Sequence, residues 1–127
     1  MVRRFPTAER PLVVVVEDDT ALCGALNFSL DLEGYDVRIF GTGEDLLASQ
    51  LPITHACLVI DERLPGVTGL DALRELRRRG ILLPALLITT NPTAVLRRAA
   101  AEAEVPIVEK PLLGDTLMRE IRSALDA

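Results

Sequence analysis

Leu58-Val59-Ile60-Asp61-Glu62-Arg63-Leu64-Pro65-Gly66 is the stretch that decides the fold. An apolar run meets an acid, and the chain turns at Pro65-Gly66 directly afterwards. A short apolar run closed by turn residues reads as a buried parallel strand. Asp61 then falls at the strand's C-terminal end, where open α/β sheets bind their ligands. The arrangement recurs on either side. Val13-Val14-Val15-Val16 runs into Glu17-Asp18-Asp19, and Leu86-Leu87-Ile88 runs into Thr89-Thr90. More weakly, Pro106-Ile107-Val108 runs into Glu109-Lys110-Pro111. With these strands parallel and side by side, an acid cluster, Asp61, a Thr hydroxyl and a Lys ammonium converge on one rim.

Helical patterns fill the intervals. Leu22, Ala25, Leu26 and Leu30 recur at helical spacing over Thr20–Glu33, and Gly34 stops them. Thr42 caps a short helix running to Gln50, with Glu44 and Asp45 favourable in its first turn. Thr68 and Asp71 open a third helix that ends at Gly80 and turns Leu70, Leu73 and Leu76 inward. Asn91-Pro92 reads as an N-cap with Pro at the first helical position, opening a helix to Ala103. Leu113, Leu117, Ile121 and Leu125 share one face of a final helix. The strands between them are expected at Leu12–Val16, Val37–Phe40, Cys57–Ile60, Leu83–Ile88 and Pro106–Val108.

Strand and helix thus alternate five times, and crossovers of this length are right-handed and parallel. The expected fold is α/β: a doubly wound, five-stranded parallel sheet with helices on both faces. Strand order does not follow from spacing. In the flavodoxin-like order 2-1-3-4-5 the ligand crevice lies at the first and third strands, the two that end in Glu17-Asp18 and Asp61.

Composition narrows the functions. The 127 residues make one domain with a single core, 49% hydrophobic and only 3% aromatic. Residues 1–10 read as a loosely held polar lead-in and 11–127 as the domain. A formal charge of −5 argues against direct nucleic-acid binding. Arg74, Arg77, Arg78 and Arg79 read as a solvated helix face. No run approaches a membrane span, and the N-terminal residues, two Arg followed by Pro, Thr and Glu, read as no signal peptide. Cys23 and Cys57 lack metal-type spacing and read as small hydrophobes in a reducing cytoplasm. His55 is the only histidine and, lying before a strand, reads as a loop residue, with no second histidine for metal or triad chemistry.

The rim carries the chemistry. Crowded carboxylates need a cation or a shared proton. Oxygen-only ligands on an open, wet rim suit Mg²⁺, which keeps several waters and binds phosphate oxygens. A Lys ammonium and a Thr hydroxyl add the donors that stabilise a phosphoryl group in transfer. A free carboxylate oxygen of Asp61 is then a nucleophile that forms an acyl phosphate. Asp19 is set apart as the cap of the first helix.

In combination these residues resemble the receiver domains of two-component response regulators, from Leu12 to Leu125. The motifs are Val16-Glu17-Asp18, Asp61-Glu62-Arg63-Leu64-Pro65-Gly66 with Thr68-Gly69, Ile88-Thr89-Thr90, and Glu109-Lys110-Pro111. The wording after Asp61, with Leu26 and Gly34, is most similar to the branch that often carries helix-turn-helix effectors. The resemblance implies a phosphorelay domain whose Asp61 receives a phosphoryl group from a sensor histidine kinase or a phosphotransfer protein, and whose output is a downstream protein. It implies Mg²⁺ on Asp18, Asp61 and the Arg63 carbonyl, with Glu17 acting through water. Thr89 and Lys110 would hold the phosphoryl group, and Lys110-Pro111 would be cis. It implies a cytoplasmic, self-phosphorylating domain with at most weak autophosphatase activity, not an enzyme with an external substrate.

Several features depart from the family pattern, among them a Thr89–Lys110 segment about one residue short. Thr90 stands where a small residue is usual, Ile107 where Phe or Tyr is usual, and Asn91-Pro92 opens the fourth helix early. All lie on the segment that transmits the signal. A second reading therefore stands beside the first: a receiver-fold interaction module with atypical or phosphorylation-independent switching. An aspartyl-phosphate hydrolase carries its nucleophile on the first strand. A flavin-binding flavodoxin needs a phosphate loop where this chain has acids.

Overall fold

The computed structural model describes residues 10–126. Its elements run β1 (Leu12–Val16), α1 (Thr20–Leu32), β2 (Asp36–Phe40), α2 (Gly43–Ala48), β3 (Ala56–Asp61), α3 (Gly69–Arg78), β4 (Ala85–Thr89), α4 (Ala94–Glu102), β5 (Ile107–Glu109) and α5 (Thr116–Asp126). All strand pairs are parallel, in the order β2-β1-β3-β4-β5. β2 is therefore an edge strand, which explains its polar, partly exposed character.

The apolar runs are strands because both sheet faces are covered. Side chains alternate between faces along a strand. Val14, Val16, Leu58, Ile60 and Leu87 pack with Leu46 of α2, Leu70, Leu73 and Leu76 of α3 and Ala100 of α4. Val13, Val15, Cys57, Val59, Leu86 and Ile88 pack with Leu26 and Leu30 of α1 and Leu117 and Ile121 of α5. Val13 to Val16 have no exposed surface at all. Full burial of each such side chain stabilises by roughly 1.5–3 kcal/mol before entropy is counted.

Local signals place most boundaries. Asp19 caps α1, its Oδ1 accepting from Ala21 N at 2.9 Å and Leu22 N at 3.2 Å. Thr42 Oγ1 accepts from Asp45 N at 3.0 Å, and Thr68 Oγ1 from Asp71 N at 3.2 Å. Gly34, at φ +97°, carries the chain out of α1 through the left-handed region.

Several expectations are corrected. α4 does not open at Asn91-Pro92. Asn91 is left-handed, at φ +46°, and Thr93 is the cap, with Oγ1 accepting from Leu96 N at 3.0 Å. α2 stops at Ala48, short of Gln50, with Ser49 as its C-cap. β4 begins after Leu83 because Pro84 has no amide to pair, although its carbonyl accepts from Leu58 N at 2.8 Å. Leu113 is not on the final helix: Gly114 turns at φ +70° and leaves Leu113 exposed. The lead-in reading holds badly for Arg10. Its guanidinium donates to Gly34 O at 2.8 Å and Tyr35 O at 2.7 Å, fixing the end of α1 to the start of β2. The rest of the lead-in lies outside the described residues. The arginine face is only partly solvated. Arg77 donates to Leu83 O at 2.7 Å and Arg79 to Leu47 O at 2.6 Å, so both tie α3 to neighbouring segments.

Candidate functional site

The site is a consequence of register. Val16 pairs with Ile60, so Glu17 and Asp61 leave neighbouring strands at the same level. Asp61 pairs with Ile88 and Thr89 with Glu109, which brings Thr89 and Lys110 to the same end of the sheet. Glu17, Asp61 and Thr89 are each at least nine-tenths buried, whereas Asp18 is exposed.

One carboxylate oxygen from each of Glu17, Asp18 and Asp61 lies within 4.8 Å of the others. Lys110 Nζ reaches the same group from just beyond β5, 3.2 Å from Asp61 Oδ2 and 3.3 Å from each Glu17 oxygen. The Lys110 amide donates to Thr89 O at 2.8 Å, and Lys110-Pro111 is a cis peptide. Arg63 N donates to Asp61 Oδ1 at 3.3 Å, drawing the loop after β3 back over the acid.

Burial, and then hydrogen bonding and repulsion from Asp61, push Glu17 up from 4.5 to about 7 against the pull of Lys110. Burial alone would lower Lys110, but attraction to Asp61 and Glu17 outweighs it and the net shift is upward. The three acids therefore hold more negative charge than one lysine balances. Their oxygen-only donor set, with one exposed member, fits a hard divalent cation. Beside it opens a cavity of about 610 Å³ lined by Asp18, Arg63, Thr89, Asn91, Pro92 and Thr93.

Lys110 thus contacts Glu17 and Asp61 directly, and Asp18 brings an oxygen within 4.8 Å of the other two acids. Thr89, Asp18 and Arg63 meet on the cavity wall. Sequence reasoning missed Glu62, whose Oε1 accepts from Leu70 N at 2.8 Å and whose carbonyl accepts from Gly69 N at 3.1 Å. Burial raises its pKa, against the Leu70 hydrogen bond. It missed the closeness of Gly69 as well: a Cβ there would strike the Asp61 carbonyl. A second acid directly after Asp61 was the available signal. Cys23 donates from Sγ to Glu17 O at 3.3 Å, while Cys57 is buried and pushed up to about 12 by burial. His55 is an exposed loop residue at φ +64°.

A model of the response regulator receiver domain matches residues 13–122. Nodulation protein W of Bradyrhizobium diazoefficiens is 34% identical over 120 residues, covering 92% of this chain and 52% of that protein. Transcriptional regulatory protein FixJ of the same organism is 31% identical over 114 residues, covering 89% and 56%. The chain spans about half the length of these relatives. The crystal structure of FixJ-N superposes with a TM-score of 0.78 at 28% identity, covering 91% of this chain and 92% of that one. A receiver domain of a LuxO-type repressor from Vibrio parahaemolyticus, at 24% identity and TM-score 0.84, shares the fold over 92% of this chain and 91% of that one.

Proposed function

Because this chain belongs to the response regulator receiver domain family, we propose that it accepts a phosphoryl group on Asp61 from a histidine kinase or phosphotransfer protein and passes the signal to a protein partner in the cytoplasm. The observation that carries the reading is the convergence of Glu17, Asp61 and Lys110 within 3.3 Å at the ends of three strands, beside exposed Asp18.

Asp61 is the nucleophile. One of its oxygens forms a bond to phosphorus as the donor's P–N bond breaks, and that electron pair leaves on the imidazole nitrogen. Lys110 holds the phosphoryl oxygens by charge, and Thr89 donates its hydroxyl to them from the cavity wall. Asp18, Asp61 and the Arg63 carbonyl would hold Mg²⁺, with Glu17 acting through water. That ion supplies the positive charge that lets a dianionic phosphoryl group approach a carboxylate. Glu62 keeps the loop after Asp61 closed against α3. The domain promotes its own phosphorylation and acts on no external substrate. The interaction-module reading has less support, since Glu17, Asp18, Asp61 and Lys110 converge at one end of the sheet as phosphoryl acceptance would need.

Incubation with acetyl phosphate and Mg²⁺, followed by intact mass, tests this. The expected result is one base-labile phosphate on the wild type and none on Asp61→Asn, with unchanged circular dichroism. Undiminished phosphate on Asp61→Asn refutes the assignment.

A further inference from the structure

We infer that Glu44, on α2, is a positioning residue for the loop that follows Asp61, a role that rests on the reading of Asp61 as phosphoacceptor. Glu44 lies in the first turn of α2, where Thr42 already caps the helix. Its side chain turns away from its own helix and crosses to the β3–α3 loop. There Oε2 accepts from Val67 N at 2.9 Å.

Two glycines leave room for this junction from opposite sides. Gly66 stands at φ +79°, and a Cβ on it would run into the Glu44 carboxylate. A Cβ on Gly43 would run into Val67 Cγ1. The α2 N-terminus is therefore a socket. It takes the Val67 amide on a carboxylate and the Val67 side chain on a bare glycine.

The socket matters because of what else the loop carries. Its two ends are tied close to Asp61. Arg63 N donates to Asp61 Oδ1 at 3.3 Å, and Gly69 N donates to Glu62 O at 3.1 Å. Between those ties, Leu64 and Pro65 form one wall of the cavity beside Asp18 and Thr89. Arg63 offers the carbonyl assigned to the cation. Glu44 fastens the middle of this span to a helix that holds none of the reacting groups. A misplacement of 1 Å at a reacting centre costs on the order of a hundredfold in rate. A loop released by a few tenths of an ångström should cost less, but measurably. Glu44 acts through Val67 and touches neither phosphoryl group nor metal, so its effect is one of placement.

The test compares wild type, Glu44→Gln and Glu44→Ala in the full chain, with Asp61→Asn as the blank. Three quantities are read: the rate of phosphate uptake from acetyl phosphate, Mg²⁺ affinity by NMR titration, and hydrogen exchange at the Val67 amide. Gln keeps an oxygen acceptor for Val67 N, whereas Ala has none. Glu44→Ala is expected to lower both rate and Mg²⁺ affinity roughly threefold to tenfold and to speed Val67 exchange. Glu44→Gln is expected to stay within about twofold of wild type. Melting points separate placement from unfolding, since both variants should melt within a few degrees of wild type. Wild-type rate and Mg²⁺ affinity in Glu44→Ala would overturn the inference, as would a Gln variant as impaired as Ala. If wild type takes up no phosphate on Asp61, the functional reading fails instead. The Mg²⁺ titration and Val67 exchange then still decide whether Glu44 holds the loop.

Discussion

Lys110 Nζ lies 3.2 Å from Asp61 Oδ2, and the same ammonium contacts both oxygens of Glu17 at 3.3 Å. One cation thus serves two buried acids at the ends of different strands. Three carboxylates against one ammonium leave the site under-neutralised, and that imbalance governs how it responds to metal, pH and phosphate.

Removal of Asp18 relieves the crowding and also removes the exposed metal ligand. Asp18→Ala is expected to lose at least about tenfold in Mg²⁺ affinity, because Mg²⁺ leans on only one or two carboxylates in such sites. Without Mg²⁺ its melting point should equal or exceed that of wild type. An unchanged Mg²⁺ titration would contradict the assignment of Asp18.

The pH dependence has a definite sign. Glu17 is raised from 4.5 to about 7 in the folded chain. Below pH 4.5 the carboxyl is protonated folded or unfolded, and its contribution to stability is fully present. As the pH climbs to about 7 the unfolded chain releases this proton more readily, so stability is lost across that window. Glu62, also raised, acts in the same direction. The shift of Lys110 is upward from 10.5 and acts outside this window. Melting curves in EDTA should therefore fall between pH 4.5 and 7. Saturating Mg²⁺, which needs ionised ligands, should reduce or reverse the fall. A flat profile in EDTA would show that Glu17 is not held protonated.

Helix capping supplies a stability test of the α4 boundary. Thr93→Ala removes the hydroxyl that accepts from Leu96 N and is expected to cost about 1 kcal/mol in urea unfolding. Asn91→Gly, which keeps the left-handed turn open to its residue, should cost only a few tenths. Unchanged stability in Thr93→Ala would show that Thr93 does not cap α4.

That boundary shows where sequence was and was not enough. The valine run, the acid after it, and the Asp61-to-Gly66 stretch were legible because apolar runs and turn residues are local signals. Asp19, Thr42 and Thr68 were legible as caps for the same reason. Asn91-Pro92-Thr93 contains two residues able to cap a helix. Only the backbone angle at Asn91 decides between them, and it depends on how the chain leaves β4. Glu44 and Val67 are 23 positions apart, and their meeting follows from how α2 and the β3–α3 loop pack. No spacing rule reaches that far.

The last prediction concerns transmission from the site to α4. Pro92 fixes its own φ near the cavity, and Thr93 caps α4 directly after it. On the other flank, Arg97 Nη2 on α4 pairs with Glu109 Oε1 at 2.6 Å, next to Lys110. The pair is half-exposed and individually weak, but it joins the helix to the residue beside the phosphoryl-binding lysine. Ile107, at the head of β5, is β-branched and stiff at χ1, so it cannot swing as an aromatic ring does. Thr90, exposed directly after buried Thr89, is expected to add bulk near the site and to limit attacking water. The expected phosphorylated state is therefore long-lived and close in structure to the free one, because a bound group shifts conformations only by interacting differently with them. Amide NMR shifts with a phosphoryl mimic should be large around residues 61–70 and small across 93–107. Glu109→Gln, which loosens the Arg97 tie, should enlarge the second set. Large shifts across 93–107 in wild type would show that α4 and β5 do rearrange, and that Ile107, Pro92 and the Arg97–Glu109 pair do not restrain them.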